Sequence, residues 1–320
     1  MKHLIPFTKE NVLQYASPRP GEKKIGEAIS LINKDLDSTS GKFVLIGISE
    51  DIGARANHGN SGAKNTWKAF LGKFLNMQAN GFINTNEIII AGEVNVKDLE
   101  SDSSSIKELR IIVEEIDKRV QSVIEGVISA GKVPIVIGGG HNNCYPIINA
   151  FPTPIQVVNI DPHADIRKQE GRHSGNGFSY ALEGGKLEKY FTLGLHEEYN
   201  STFILEQFNY NNFLDYYSFN DYLKYELTIK DLINSVKSHL DSSTIGLEID
   251  LDSIKNMPVS ARTPIGFSEE EIRKISFQLS MSYDFHYIHI CEGAPQNEQE
   301  NIIVGKTIAY LVSDFIKYNS

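Results

Sequence analysis

Asp161, His163 and Asp165 recur at every second position, and Asp250 and Asp252 repeat the spacing later in the chain. Alternate side chains of an extended segment share one side, so each set can point the same way. Four aspartates gathered in a low-dielectric pocket would repel one another unless cations neutralised them. Carboxylate oxygens are hard ligands that suit divalent manganese or magnesium, and imidazole tilts the choice towards a transition metal. With His141, which follows Gly138-Gly139-Gly140, the set reaches six ligands, two of them aspartates able to bridge. That is enough for a two-ion centre, whose chemistry is to turn water into a strong nucleophile. Each piece alone has a plainer reading. Asp161-Pro162 could open a turn, Asp250-x-Asp252 could be a solvated strand end, the glycines a tight turn, and His141 a capping or core histidine. Their joint position at the ends of strands favours the metal.

Short β-branched runs predict those strands, over residues 43–48, 87–93, 133–137, 155–160, 190–195, 214–219, 244–251 and 285–291. Several are near-continuous apolar runs, as in Val133-Pro134-Ile135-Val136-Ile137, the pattern of a parallel strand covered on both faces. Helical spacing of Ile106, Leu109, Ile112, Ile116, Val120 and Ile124 predicts a helix over 105–131. Ser268 before three glutamates reads as a helix N-cap. The alternation predicts a doubly wound α/β layer, in which ligands bind beyond the carboxyl ends of the strands. His141 follows the third predicted strand, Asp161 the fourth, and Asp250 ends the seventh. The expectation is one domain over 1–320, with 1–42 as an N-terminal extension packed on it. The stretch 199–234, rich in Asn and Tyr, gives no clear pattern.

A formal charge of −10 over 320 residues argues against nucleic acid as a partner. No apolar run reaches the ~18 residues of a membrane span, so no membrane partner is expected. Two cysteines, Cys144 and Cys291, are too few for a disulfide framework and suggest a cytoplasmic protein with reduced thiols.

Gly-Gly-x-His, then Asp-x-His-x-Asp, then Asp-x-Asp after a buried strand resembles the ordered signature of the arginase-like ureohydrolases, which include arginases, agmatinases and formimidoylglutamases. Gly47-Ile48-Ser49-Glu50-Asp51-Ile52-Gly53, Thr263-Pro264-Ile265-Gly266-Phe267 and Cys291-Glu292-Gly293-Ala294-Pro295 extend the resemblance over most of the chain. It implies the arginase-like three-layer α/β fold, an eight-stranded parallel sheet flanked by helices on both faces. It also implies two manganese ions per subunit, a small amidine or guanidine substrate, and a homo-oligomer, trimer or hexamer. By the resemblance, His141 and Asp165 would bind one ion, His163 and Asp252 the other, with Asp161 and Asp250 bridging. Glu292 would hold the cationic end of the substrate. The family pattern also has a Ser or similar residue where this chain has Glu248, a change in the surroundings of the ligands rather than in the ligands.

Specificity turns on residues 165–178. Guanidine-cleaving members carry a His-Gly pair after Asp-x-His-x-Asp, the histidine serving as a proton shuttle. Here Ser174-Gly175 occupies that place and His173 precedes it, so either His173 or Ser174 holds the shuttle position. Asp165-Ile166-Arg167 and Ser174-Gly175 look similar to formimidoylglutamases. That branch implies hydrolysis of N-formimidoyl-L-glutamate to glutamate and formamide, in histidine degradation, with Asp165 handing a proton to the departing amine. Arg167, Arg262, Ser174 and Asn176 are candidates to bind the substrate's carboxylates, and His173 to carry protons. The alternatives are a guanidino hydrolase releasing urea, a catalytically silent member, and a one-ion zinc deacetylase. His196 reads as structural, and both cysteines as apolar packing.

Overall fold

The computed structural model describes residues 1–32, 35–100, 105–241 and 243–319. Its strands are β1 (Leu4–Pro6), β2 (Ser30–Leu31), β3 (Phe43–Gly47), β4 (Ile88–Val94), β5 (Val133–Ile137), β6 (Ile155–Ile160), β7 (Leu187–Leu195), β8 (Leu214–Ser218), β9 (Ile245–Asp250) and β10 (Tyr287–Cys291). They form one sheet in the order β1-β4-β3-β5-β10-β9-β6-β7-β8, with β2 also paired to β4. The eight strands β3 to β10 are mutually parallel, as expected. Two strands were not expected. β1 runs antiparallel to β4 and the two-residue β2 parallel to it, so the complete sheet is mixed. Runs this short carry too little periodicity to be read from sequence.

The pleat sends alternate side chains into two cores. Phe43 and Leu45 join one cluster, Val44 and Ile46 the other. Helices Thr66–Phe74, Ile229–His239, Glu269–Ser280 and Glu298–Tyr318 cover the first face. Ile106–Ser129, Cys144–Asn149 and Gly177–Glu183 cover the second. The longest of these shows how its sequence specifies it. Ser105 and Glu108 exchange capping hydrogen bonds at its start. Leu109, Val113, Ile116, Val120, Ile124 and Val127 then form a buried stripe, each side chain stabilising by about 1.5–3 kcal/mol. Gly131, at φ 67°, turns the chain towards β5, a conformation glycine adopts without steric cost.

The region 199–234 resolves into helices Thr202–Tyr210, Phe219–Lys224 and Ile229–His239 around β8. Ser201, Ser218 and Thr228 cap them by accepting backbone N–H bonds. Six to eleven residues per helix is too short for a convincing apolar stripe, which is why the pattern was hidden.

Candidate metal centre

β5, β10, β9 and β6 are neighbours at the middle of the sheet, and their carboxyl ends deliver His141, Glu292, Asp250 and Asp161 to one place. Both spaced motifs are shaped by the same local turn. Asp161 Oδ1 accepts from His163 N–H at 2.7 Å, and Asp250 Oδ1 from Asp252 N–H at 2.7 Å. The extended geometry expected for 161–165 therefore stops at Ile160. Convergence instead needs Asp165 in the left-handed region, at φ 50°. Glu292 is there too, at φ 62°. Such backbone costs about 1–3 kcal/mol per residue and persists only where its surroundings hold it. Asn200 Oδ1 accepts from Ala164 N–H at 3.0 Å and Tyr190 OH donates to Ala164 O at 2.8 Å. Glu292 N–H donates to Gly139 O at 3.0 Å, and its Oε1 accepts from His141 N–H at 2.7 Å.

His141 Nδ1 stands 3.0 Å from Asp161 Oδ2, 3.0 Å from Asp165 Oδ2 and 3.1 Å from Asp250 Oδ2. Across Asp161, His163 Nδ1 lies 3.3 Å from Oδ1 and 3.9 Å from Asp252 Oδ2. The two imidazoles thus sort onto opposite oxygens of one aspartate. Burial pushes Asp250 up to about 8, with Asp161 adding to it, and raises Asp165, Asp252 and Glu292 as well. Asp161 is held low in spite of its burial because His141 and His163 both face it. Burial opposes charge on His163, yet Asp161 and Asp252 carry it to about 10. This many acids at one point is a site that asks for positive charge. The donor set fits a divalent cation. Fully buried His141 Nδ1 has no hydrogen-bond partner despite three carboxylates around it, and Asp252 Oδ1 has none either. The ligand atoms of His141, Asp161, Asp165 and Asp250 all lie within 4.8 Å of one another.

A cavity of about 600 Å³ opens over this cluster. His163, Asp165, Asp250, Asp252 and Glu292 line it, with Arg167, Lys168 and Ser174 in its wall. Three other expected residues stand away from it. Arg262 is exposed and lies 3.8 Å from Glu300, because the turn that carries it faces solvent. Asn176 is buried and spent on structure, accepting from Arg172 and His173 N–H and donating to Gly171 O. His173 is fully buried, its Nδ1 accepting from Gly175 N–H and its Nε2 3.4 Å from Glu170. Burial, with Arg110 and Arg167 nearby, lowers it to about 4. Ser174, rather than His173, reaches the cavity.

The supporting residues were not read from sequence. Glu50 accepts from Gly140 N–H at 2.9 Å, Asn143 Nδ2 at 2.7 Å and Gly53 N–H at 3.0 Å, fixing the loop before His141. Asn57 Oδ1 accepts from Arg167 Nη1 at 2.7 Å, and its Nδ2 faces Ser174 Oγ at 3.3 Å. Tyr199 stacks between His163, at 5.7 Å, and His196, at 5.4 Å. The other face of His196 meets Phe219 at 5.1 Å, a packed position in keeping with the structural reading. Cys144 and Cys291 are buried free thiols. Glu50 carried a sequence signal, its place in the 47–53 motif, and so did Asn57, which opens the 57–63 stretch that resembles the family's following loop.

The arginase-family sequence model matches residues 41–316. A formimidoylglutamase of Rhodococcus jostii is 29% identical over 174 residues, 51% of this chain and 50% of that one. A formimidoylglutamase of Staphylococcus carnosus is 28% identical over 187 residues, 57% of this chain and 60% of that one. The chain spans about half the length of the curated relatives it matches. Among solved structures, Trypanosoma cruzi formiminoglutamase with Mn2+ superposes with a TM-score of 0.74 at 20% identity, covering 92% of this chain and 99% of that one. Formimidoylglutamase from Bacillus subtilis gives 0.75 at 17% identity, covering 94% and 93%. At these identities the likeness is one of fold, and the fold is the arginase-like α/β sandwich.

Proposed function

The chain belongs to the arginase family, and from that premise we propose that it is a metal-dependent hydrolase of linear amidines. Its substrate on this reading is N-formimidoyl-L-glutamate, and its cofactor two manganese ions per subunit. One observation carries the choice of substrate. Over an acidic base that suits an amidine, the cavity wall bears two cations, Arg167 and Lys168, beside Ser174, with His58 and Glu170 also lining it. A molecule with an amidine at one end and two carboxylates at the other complements that wall.

His141 and Asp165 would hold one ion, His163 and Asp252 the other, and Asp161 and Asp250 both. When bound, such a pair supplies an activated water and polarises the amidine carbon. Glu292, held by His141 N–H and by Ser260 Oγ at 2.5 Å, accepts from the amidine N–H groups. At the other end Arg167, steadied by Asn57, binds a carboxylate as a fork, and Lys168 and Ser174 complete the grip. Fixing both ends keeps the amidine carbon over the cluster. Asp165 carries a proton from the water to the departing amine. The water oxygen becomes the carbonyl of formamide, the C–N bond to glutamate breaks, and both water protons go to the departing nitrogen, so that the cationic amidine leaves as formamide and the ammonium of glutamate. Histidine degradation, a cytoplasmic location and assembly as trimers or hexamers accompany this reading.

The test is hydrolysis by manganese-loaded protein of N-formimidoyl-L-glutamate, with agmatine, arginine and guanidinobutyrate alongside. Formamide and glutamate from the first substrate alone, lost in Asp250→Ala, is the expected result. Urea from a guanidino compound would overturn the substrate assignment.

A further inference from the structure

His141 turns Nδ1 to the aspartates, which leaves Nε2 to be explained. It is fully buried and has no hydrogen-bond partner. Glu248 Oε2 lies 3.5 Å from it. Glu248 lies on β9 opposite His289 of β10, so their side chains share a face, and Tyr287 two residues earlier joins them. Tyr287 OH donates to Glu248 Oε1 at 2.8 Å, and His289 Nδ1 lies 2.7 Å from Oε2. Gly246 makes room for this arrangement, since a Cβ there would come within 1.9 Å of the Tyr287 ring. On its far side His289 Nε2 lies 3.2 Å from Gly138 O. A carbonyl only accepts, so Nε2 is the donor in that contact. Gly138 begins the glycine loop that delivers His141. Cys291 Sγ lies within 4.8 Å of a ring nitrogen of His141 and donates to Ile249 O at 3.8 Å.

A fully buried carboxylate is costly unless its lone pairs are used. Here Tyr287 and His289 use some, and the remaining capacity of Oε2 faces His141. We propose that Glu248 is the positioning residue for His141: its Oε2, 3.5 Å from Nε2, is the acceptor to which Nε2–H turns when Nδ1 gives its lone pair to the cation. Through His289 it also anchors the loop on which His141 sits. A carboxylate behind a ligating imidazole orients the ring and raises its basicity, and losing it typically weakens metal affinity about 10–100-fold. The inference rests on the proposed cation site but not on the substrate.

Calorimetric titration with manganese separates these roles, using the wild type, Glu248→Gln, His141→Ala and the double variant. Weakening by about 10–100-fold in Glu248→Gln, partly recovered in Glu248→Asp and absent when His141 is already Ala, is the expected pattern. Thermal unfolding of the metal-free proteins runs beside it, because a merely structural role would lower stability and leave the affinity alone. Should Glu248→Gln fail to fold, Tyr287→Phe frees one carboxylate oxygen without opening a void, and a smaller loss of affinity is expected there. Unchanged affinity in a folded variant, an equal loss in the His141→Ala background, or a wild type that takes up no manganese overturns the inference. Manganese uptake without cleavage of formimidoylglutamate sinks the substrate reading alone.

Discussion

Arg167 and His173 share one loop and meet opposite surroundings. The guanidinium of Arg167 lies in the cavity wall and donates a hydrogen bond to Asn57 Oδ1, whereas His173 is fully buried. Arg167→Ala should therefore raise KM for a dicarboxylic amidine with little change in kcat. The loss corresponds to about 1.5–3 kcal/mol for a charged hydrogen bond, and steady-state kinetics on the manganese-loaded protein will show it; a fall in kcat at constant KM would refute a purely binding role. For His173 the consequence is one of stability. Its folded value is about 4 against an ordinary 6.5, so between those values the unfolded chain binds the extra proton. Stability from this group is present above 6.5 and lost as pH falls through 4. His173→Gln should thus cost more relative to wild type at pH 7 than at pH 4.5 in urea titrations, and equal costs at both would contradict the assignment. A group already neutral at pH 5 also adds no limb to a rate profile between 5 and 8.

Loops, rather than strands, set the fine geometry of the site, and one buried side chain ties them together. Arg172 donates to Asp117 at 2.8 Å on the long helix, to Asn142 O at 2.8 Å beside His141, and to Asn176 at 2.8 Å in its own loop. Its guanidinium lies between the rings of Tyr145 and Tyr180, at 4.7 and 4.8 Å. Breaking a buried ion pair strands the remaining charge, so Asp117→Asn should destabilise by about 3–5 kcal/mol, measured as a shift of the urea midpoint at constant slope. An unchanged midpoint would mean that Asn142 and Asn176 hold Arg172 by themselves. Sequence periodicity found the helix but could not find this clamp, because Asp117 occupies the apolar stripe and its partner comes from a distant loop.

At the scale of the molecule, the centre of the sheet concentrates acids that oppose one another. Cation removal should therefore be felt as global stability. A ligand at 100-fold over its Kd stabilises the folded state by about 2.7 kcal/mol. Chelating manganese should lower the thermal midpoint by several degrees and re-addition restore it, with magnesium less effective because of the imidazoles. Identical midpoints with and without manganese would argue that the cluster holds no ion. The edge strands β1 and β2 and the short helices after Tyr199 lie outside that centre.

What the sequence determined by itself is the repeating alternation of strand and helix and the order of its acidic motifs. Apolar runs such as 133–137 and spacings such as Asp-x-His-x-Asp are local, and local pattern is what period and turn chemistry encode. His141, Asp161, Asp250 and Glu292 could be named as neighbours only because parallel strands deliver their ends to one side. Tertiary structure alone decided which neighbours face the cavity. Within residues 165–176 it turned Arg167 and Ser174 in and His173 and Asn176 away, through hydrogen bonds to Asn57, Arg172 and Gly171 that come from elsewhere in the chain or across the loop. It alone set Glu248 opposite His289 and 3.5 Å from His141, since register between β9 and β10 is set by packing on both faces of the sheet.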